Sequence, residues 1–353
     1  MTGQFKKILI IKPSALGDIV QALPAVCCLA ESFPDAQIDW FVRPEYSALL
    51  ENHPCIHNLV IFDRKKLGKW WFKPDAFTEL VRLIKQLRTE KYNIVFDFQG
   101  RFRSAIFAWF SGCNQRIGMA PTQELTGIFY TQKIRQMHSS VHLVDYFLDM
   151  VATAGAKPSA SPRGERGKAD FGLKPDKQIV DEVKNILISN KTNPDNYAVF
   201  APAATVEAKR WPIENFASLS ERIHKKYQCS IVGVGVESEK TIVRQFESLS
   251  NVPVVNLAGK TNVKRLISLL ASAKVVVSND TGPAHIAAAL GVPLAIIFGF
   301  TNPSRVGPYG RKETIAAIDA DIRGSEVESA NPAHNIKNVT VESVFDLIRK
   351  QLG

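Results

Sequence analysis

The strongest constraint on this chain is an alternation, repeated in two halves, of short runs rich in branched apolar residues with longer stretches whose apolar residues recur at helical spacing. Strands alternating with helices build βαβ units, and the right-handed crossover rule leaves such units few topologies. In the first half the pattern predicts strands at Lys7 to Ile11, Ile38 to Val42, Asn58 to Phe62 and Ile94 to Phe98. The helices expected with them are Ile19 to Phe33, Asp75 to Thr89, Ser104 to Phe110 and His142 to Thr153. In the second half it predicts strands at Ala198 to Ala201, Ser230 to Val234, Val254 to Leu257, Val275 to Ser278 and Leu294 to Phe298, again separated by helical stretches. Between the halves, Ala156 to Asp170 is rich in Pro, Gly, Ser and charge and carries no apolar period, which marks a linker. The expected class is therefore α/β: doubly wound parallel-sheet domains at 1–155 and 171–335, joined by a linker at 156–170. An amphipathic helix within 336–353 is expected to dock its apolar face on a domain, with the N-terminal domain as one option.

Length and composition support this division and exclude other classes. A chain of 353 residues is too long for one ordinary core and comfortable for two. With 45% hydrophobic and 22% charged residues it is neither disordered nor fibrous. The apolar run Val292 to Phe298 is far too short to span a bilayer, and the start runs straight into Lys12, unlike a secretory leader. The five cysteines contain no CxxC pair, which fits reduced thiols and a cytoplasmic location, with peripheral inner-membrane contact left open. The net charge of +10 raises anionic partners. A nucleic-acid partner is not expected, because no RNP, KH or helix-turn-helix pattern accompanies the charge.

Several loops at strand ends could carry chemistry. The first strand runs into Lys12-Pro-Ser14-Ala-Leu-Gly17-Asp18 and then a helix, placing Asp18 at the carboxyl edge of a sheet, where doubly wound folds bind ligands. Asp18 reads either as a helix N-cap or as a general base. Ser278-Asn-Asp280-Thr281-Gly282-Pro283-Ala-His285 is again strand, tight loop and helix, with amides suited to a phosphate. His285 reads equally as a helix histidine bonded to a backbone carbonyl. The irregular loop from Ala201 to Pro212 holds Thr205 and the cations Lys209 and Arg210, which suit a diphosphate or a solvated surface. Glu237 and Glu239 stand at a third strand end, where a carboxylate can take ribose hydroxyls or offset a helix dipole. Residues 63–75 combine Lys65, Lys66 and Lys69 with three adjacent aromatics, fit for an anionic membrane surface or phosphorylated glycolipid. Arg101 and Arg103 follow the strand ending at Phe98. Two motifs fail on inspection: Val254 replaces the first glycine of a P-loop, and Ser238 the third glycine of a dinucleotide fingerprint.

Taken together, KPSALGDIVQALP from Lys12, DFQGRFRS from Asp97, Arg116-Ile-Gly118, Lys209-Arg-Trp-Pro212, NDTGPAHIAAALG from Asn279 and FGFTNP from Phe298 resemble the lipopolysaccharide heptosyltransferases, glycosyltransferase family nine. The resemblance covers nearly the whole chain. It implies the GT-B architecture, two Rossmann-like domains facing across a cleft, with the acceptor on the first and a nucleotide sugar on the second. It implies inverting, metal-independent transfer of a heptose from ADP-heptose to a lipopolysaccharide-core or related anionic glycolipid acceptor, with no resident cofactor. By the same resemblance Asp18 is the catalytic base. Lys209, Glu237, Asp280, Thr281, Gly282, His285 and Thr205 are donor residues. Ser14, Gly17, Arg101, Arg103, Lys65, Lys66 and Lys69 are acceptor residues. A binding protein on the same fold without turnover, or an enzyme using another nucleotide sugar, is the alternative.

Overall fold

In a computed structural model of the protein, residues 5–69, 71–122, 124–136, 141–157 and 169–353 are described. Most of the expected linker therefore lies outside the described residues, as does Trp70. The chain divides into two units, one within Met1–Gly164 together with Ala169–Gly172, the other containing Leu173–Gly353. The boundary falls just beyond the expected linker end because His53 Nε2 hydrogen-bonds the Phe171 carbonyl at 2.8 Å, tying that residue to the first unit.

The first unit runs β1 (Lys7–Ile11), α1 (Leu16–Ser32), β2 (Gln37–Val42), α2 (Pro44–Leu50), β3 (Asn58–Ile61), α3 (Arg64–Leu67), α4 (Pro74–Thr89), β4 (Ile94–Asp97), α5 (Phe102–Phe110), β5 (Arg116–Met119), β6 (Gln132–Ile134) and α6 (Leu143–Ala152). Its strands form one parallel sheet in the order β3-β2-β1-β4-β5-β6. The central strands are continuous apolar runs because helices cover both faces. On one face Leu9, Ile11, Phe41, Val60 and Val95 pack under Leu83 and Leu87 of α4 and Phe107 of α5. Helices α1 and α6 pack together, and Phe98 stacks on Phe147 of α6 with ring centroids 4.6 Å apart.

The second unit runs α7 (Lys177–Ser189), β7 (Tyr197–Ala201), α8 (Ile213–Tyr227), β8 (Ser230–Gly233), α9 (Lys240–Leu249), β9 (Val254–Asn256), α10 (Val263–Ala271), β10 (Val275–Asn279), α11 (Gly282–Ala289), β11 (Leu294–Ile297), α12 (Pro303–Val306), β12 (Ile315–Ala316) and α13 (Val341–Leu352). The sheet order β12-β11-β10-β7-β8-β9 repeats that of the first unit. Both units are thus doubly wound, as the sequence predicts. Helix α13 corrects the option that the C-terminal helix returns to the N-terminal domain. Its Val344, Phe345 and Ile348 join Phe200, Ile231, Val277 and Ile297 in the second unit's core, and Gln351 bonds both backbone groups of Leu294. Among the described residues no helix is long and apolar enough to cross a membrane.

Candidate active site

In a doubly wound sheet the order reverses between two central strands, and the loops leaving their carboxyl ends separate there to open a crevice. In the first unit these strands are β1 and β4; in the second they are β7 and β10. Every loop that begins at these four ends carries residues singled out from the sequence.

After β1, Lys12 and Asp18 come together: Lys12 Nζ lies 3.3 Å from Asp18 Oδ2. The two are unequally placed, the lysine side chain being 5% exposed and the aspartate 45%. The structure corrects the N-cap reading of Asp18, since α1 begins at Leu16, Ala15 is its N-cap, and Asp18 lies inside the first turn. Its carboxylate reaches back to the Ala15 N–H only at 3.5 Å, too long to anchor it. Ser14 and Gly17 flank it, both half-buried.

After β4, Asp97 is fully buried and organises the loop that follows. Its Oδ1 accepts the N–H groups of Gln99 and Gly100 at 2.9 and 3.1 Å, and its Oδ2 accepts the Tyr130 hydroxyl at 2.8 Å. Burial nonetheless pushes the Asp97 carboxyl up, outweighing the hydrogen bond from Tyr130. Arg101, the N-cap of α5, and Arg103, in its first turn, are exposed cations, with Arg101 3.5 Å from Glu124. Lys65 and Lys66 sit on α3, 3.6 Å from Glu45 and 3.7 Å from Glu79. Lys69 follows in an exposed turn. These lysines belong to the β3–α4 connection and not to the loops at the switch point.

In the second unit the sequence-distant Lys209 and Asp280 meet at 2.6 Å. The other oxygen of Asp280 lies 3.2 Å from His285 Nε2, so one ring nitrogen of His285 takes a carboxylate. Asp280 is almost completely enclosed; burial alone would raise its pKa, but the His285 hydrogen bond and the Lys209 charge outweigh it and hold the carboxyl below its ordinary range. Asn279 braces the assembly, accepting the Trp211 N–H at 3.0 Å and donating to the Pro202 carbonyl at 2.8 Å. Thr281 is the N-cap of α11, its hydroxyl 3.1 Å from Ser278 Oγ, and Gly282 opens the helix with Pro283 in its first turn. Thr205 is exposed in the same β7 loop as Lys209. At the end of β8, Glu239 turns back to accept the Val236 N–H at 2.9 Å, whereas Glu237 is 73% exposed and paired with Lys240 at 2.7 Å. Glu237 is thus the carboxylate presented outward. A methyl group on Gly259, at φ +72°, would stand 2.2 Å from Glu237 Oε2, so glycine is needed for that approach.

Sequence reasoning missed Lys12, Tyr130 and Glu124. A lysine ending an apolar strand reads as the strand's polar terminus, and nothing local in the sequence points Tyr130 or Glu124 toward the β4 loop. Among the described residues no group of three or more His, Cys, Asp or Glu is arranged to hold a metal ion.

Comparison with known proteins places the fold and the family. A lipopolysaccharide core heptosyltransferase from Haemophilus influenzae is 27% identical over 318 residues, 89% of this chain and 84% of that protein. A family 9 glycosyl transferase structure from Veillonella parvula superposes with a TM-score of 0.81 at 19% identity, covering 100% of this chain and 98% of that one. An Escherichia coli heptosyltransferase solved with ADP-2-deoxy-2-fluoro heptose gives 0.74 at 22% identity, covering 98% and 99%. The model of glycosyltransferase family 9 (heptosyltransferase) matches residues 80–336, which takes in the β4, β7 and β10 loops, and the chain belongs to that family of glycosyltransferases.

Proposed function

We propose that this enzyme transfers a heptosyl residue from ADP-heptose to a lipopolysaccharide-core acceptor, with inversion at the anomeric carbon and without a metal ion in the chemical step. One observation carries the reading. The matching sheet edges of the two units hold complementary halves of such a reaction: a half-exposed carboxylate, Asp18, in the first, and a lysine beside a helix N-terminus, Lys209 and α11, in the second. Support for the substrates comes from the relatives, one described as acting on the lipopolysaccharide core and one solved with an ADP-heptose analogue.

In this scheme Asp18 accepts the proton of an acceptor hydroxyl while that oxygen bonds to the anomeric carbon. The bond from that carbon to the diphosphate oxygen breaks on the opposite face, and ADP departs. Lys209 and the amides opening α11 offset the charge on the leaving diphosphate, a role that a divalent cation fills in other transferases. Glu237 takes the ribose hydroxyls, while Asp280 holds Lys209 and His285 in place. Arg101, Arg103 and the lysines of the 63–75 segment meet the anionic acceptor. A lipid-borne acceptor also places the enzyme in the cytoplasm against the inner membrane, where Trp71 and Phe72, 65% and 79% exposed, are available to the interface.

The decisive experiment is a nucleotide-sugar panel read by thermal shift, followed by turnover on defined core acceptors. ADP-heptose should give the largest shift and support transfer in the presence of a chelator, with the product anomer inverted by NMR. A larger shift and faster transfer with another nucleotide sugar would displace the donor. Binding without transfer on any core acceptor would favour a binding protein on this fold.

A further inference from the structure

A buried ammonium is expensive unless it is paired, so a lysine that a fold buries at a sheet edge marks a position where a carboxylate is wanted. Lys12 is such a residue. Its backbone is set by β1, central in the sheet between β2 and β4, and its carbonyl accepts the Trp40 indole N–H at 3.0 Å. Its side chain runs inward, with Nζ 5.9 Å from the centre of the Phe147 ring. Among the described residues, Asp97 and Asp18 are carboxylates near Lys12 at this edge. Asp97, one residue beyond Phe96 and in register with Ile11, has both oxygens committed to Tyr130 and to the Gln99 and Gly100 amides. Asp18 is the carboxylate that pairs with Lys12.

The pair is asymmetric in a useful way. The ammonium is fixed by burial, while the carboxylate, on the first turn of α1, would otherwise sample several rotamers at its partly solvated site. The Lys12 and Ala15 contacts both fall on Oδ2, which leaves Oδ1 for a substrate hydroxyl. We propose that Lys12 is the positioning residue of the reaction: by pinning Oδ2 of Asp18 it aims Oδ1 at the acceptor hydroxyl. The proton passes from that hydroxyl to Oδ1 and the hydroxyl oxygen forms the new glycosidic bond, while Lys12 keeps its own protons throughout. This inference rests on the reading of Asp18 as the base.

The test is a double-mutant cycle in the full-length enzyme, with kcat, both KM values and the thermal midpoint measured for Lys12→Met, Lys12→Arg, Asp18→Asn and the combinations. Misaiming a catalytic group should cost Lys12→Met about 10- to 100-fold in kcat with both KM values held within about threefold. Lys12→Arg, which restores a cation, should recover most of that loss. Residues that act as a unit are not additive, so Lys12→Met should lower the residual rate of Asp18→Asn by less than about twofold. If Lys12→Met proves unstable, the same comparison is made with Lys12→Gln, whose loss in kcat should likewise vanish in the Asp18→Asn background. A loss carried over in full into that background, or unchanged kcat in Lys12→Met, overturns the positioning role while leaving Asp18 as the base. Full activity in Asp18→Asn removes the base and this inference together.

Discussion

Lys209 and Asp280, 71 residues apart in sequence, form an ion pair of 2.6 Å at the switch point of the second sheet. Because Asp280 is nearly enclosed and also holds His285, the carboxylate serves as an anchor for two cationic or hydrogen-bonding groups. Lys209, a quarter exposed, keeps donors for a phosphate. Lys209→Ala should therefore weaken donor binding or slow transfer by about 10- to 100-fold, the range for a charge-assisted hydrogen bond. Asp280→Asn should act on the fold as well, costing about 3 kcal/mol because a buried pair is broken on one side. Unchanged donor affinity and rate in Lys209→Ala would end its assignment to the diphosphate.

Asp18→Asn keeps the shape of the side chain and removes its capacity to take a proton. A general base so removed should cost about 10²- to 10⁴-fold in rate. The thermal midpoint should fall only modestly, because the carboxylate is half-exposed and its contact to the helix start is long, while the asparagine amide oxygen still accepts from the buried Lys12 ammonium in place of the ion pair. Turnover and melting on one preparation decide the matter. A rate loss that follows unfolding would speak against catalysis by Asp18.

Gly118 and Tyr130 should control the β4 loop without touching it. A Cβ on Gly118 would stand 2.3 Å from the Tyr130 ring, and Tyr130 is a donor to Asp97. Gly118→Ala must displace the ring, an overpacking cost of about 1 to 3 kcal/mol. Tyr130→Phe leaves Asp97 Oδ2 without its hydroxyl and should cost about the same. Both variants should also raise KM for the acceptor, since Arg101 and Arg103 follow that loop. Denaturant melts together with acceptor titrations test this: a fall in stability with no change in acceptor KM would separate Tyr130 and Asp97 from acceptor binding.

Neutralising Lys65, Lys66 and Lys69 together should reduce binding to anionic vesicles by about 100-fold. Transfer to a vesicle-embedded acceptor should fall with it, and added salt should narrow the difference from wild type. A soluble core analogue should be used at close to the normal rate. Equal losses on both acceptors would place these lysines on the glycan instead of the membrane.

The thiols of Cys27 and Cys55 lie 3.1 Å apart beside His53. The hydrogen bond from Cys27 and the neighbouring His53 outweigh partial burial and bring Cys55 down to about 5, while Cys27 is pushed up. With its pKa depressed, Cys55 should hold its thiolate form through the neutral range and lose it as pH falls through about 5. Its alkylation at pH 6 should therefore run nearly as fast as at pH 8, whereas an ordinary thiol slows about 100-fold over that interval. Mass-spectrometric mapping of iodoacetamide labelling measures this directly. An ordinary slowing at Cys55 would contradict the assignment.

Legibility in the sequence followed burial. The central strands β1, β4, β7, β10 and β11 are built on apolar runs interrupted only at their ends and were readable, as were the loops that leave them. Strands β5, β6 and β12 were not: Arg116, Gln132 and Lys133 interrupt two short segments, and Ile315–Ala316 is two residues long. A pair of neighbours in a sheet supplies most of the reason such segments are strands at all. Helix α7, with only Val183 and Leu187 buried, likewise offered too thin an apolar stripe. The amphipathic character of α13 was plain, but which core it completes was not.

Sequence alone determined the doubly wound class, the two-part division and the loops that carry Asp18, Lys209 and Asp280, because apolar periodicity and turn chemistry are local properties written over a few residues. Only the tertiary structure decided which of these residues meet. The Trp211 indole reaching the Val339 carbonyl across 128 residues, Tyr130 reaching Asp97, and Lys12 turning inward to hold Asp18 all depend on strand order and on which side chains lose their water. Those are properties of packing: a buried charge or donor must find its partner among whatever the sheet brings near, and the sheet draws its neighbours from distant parts of the chain.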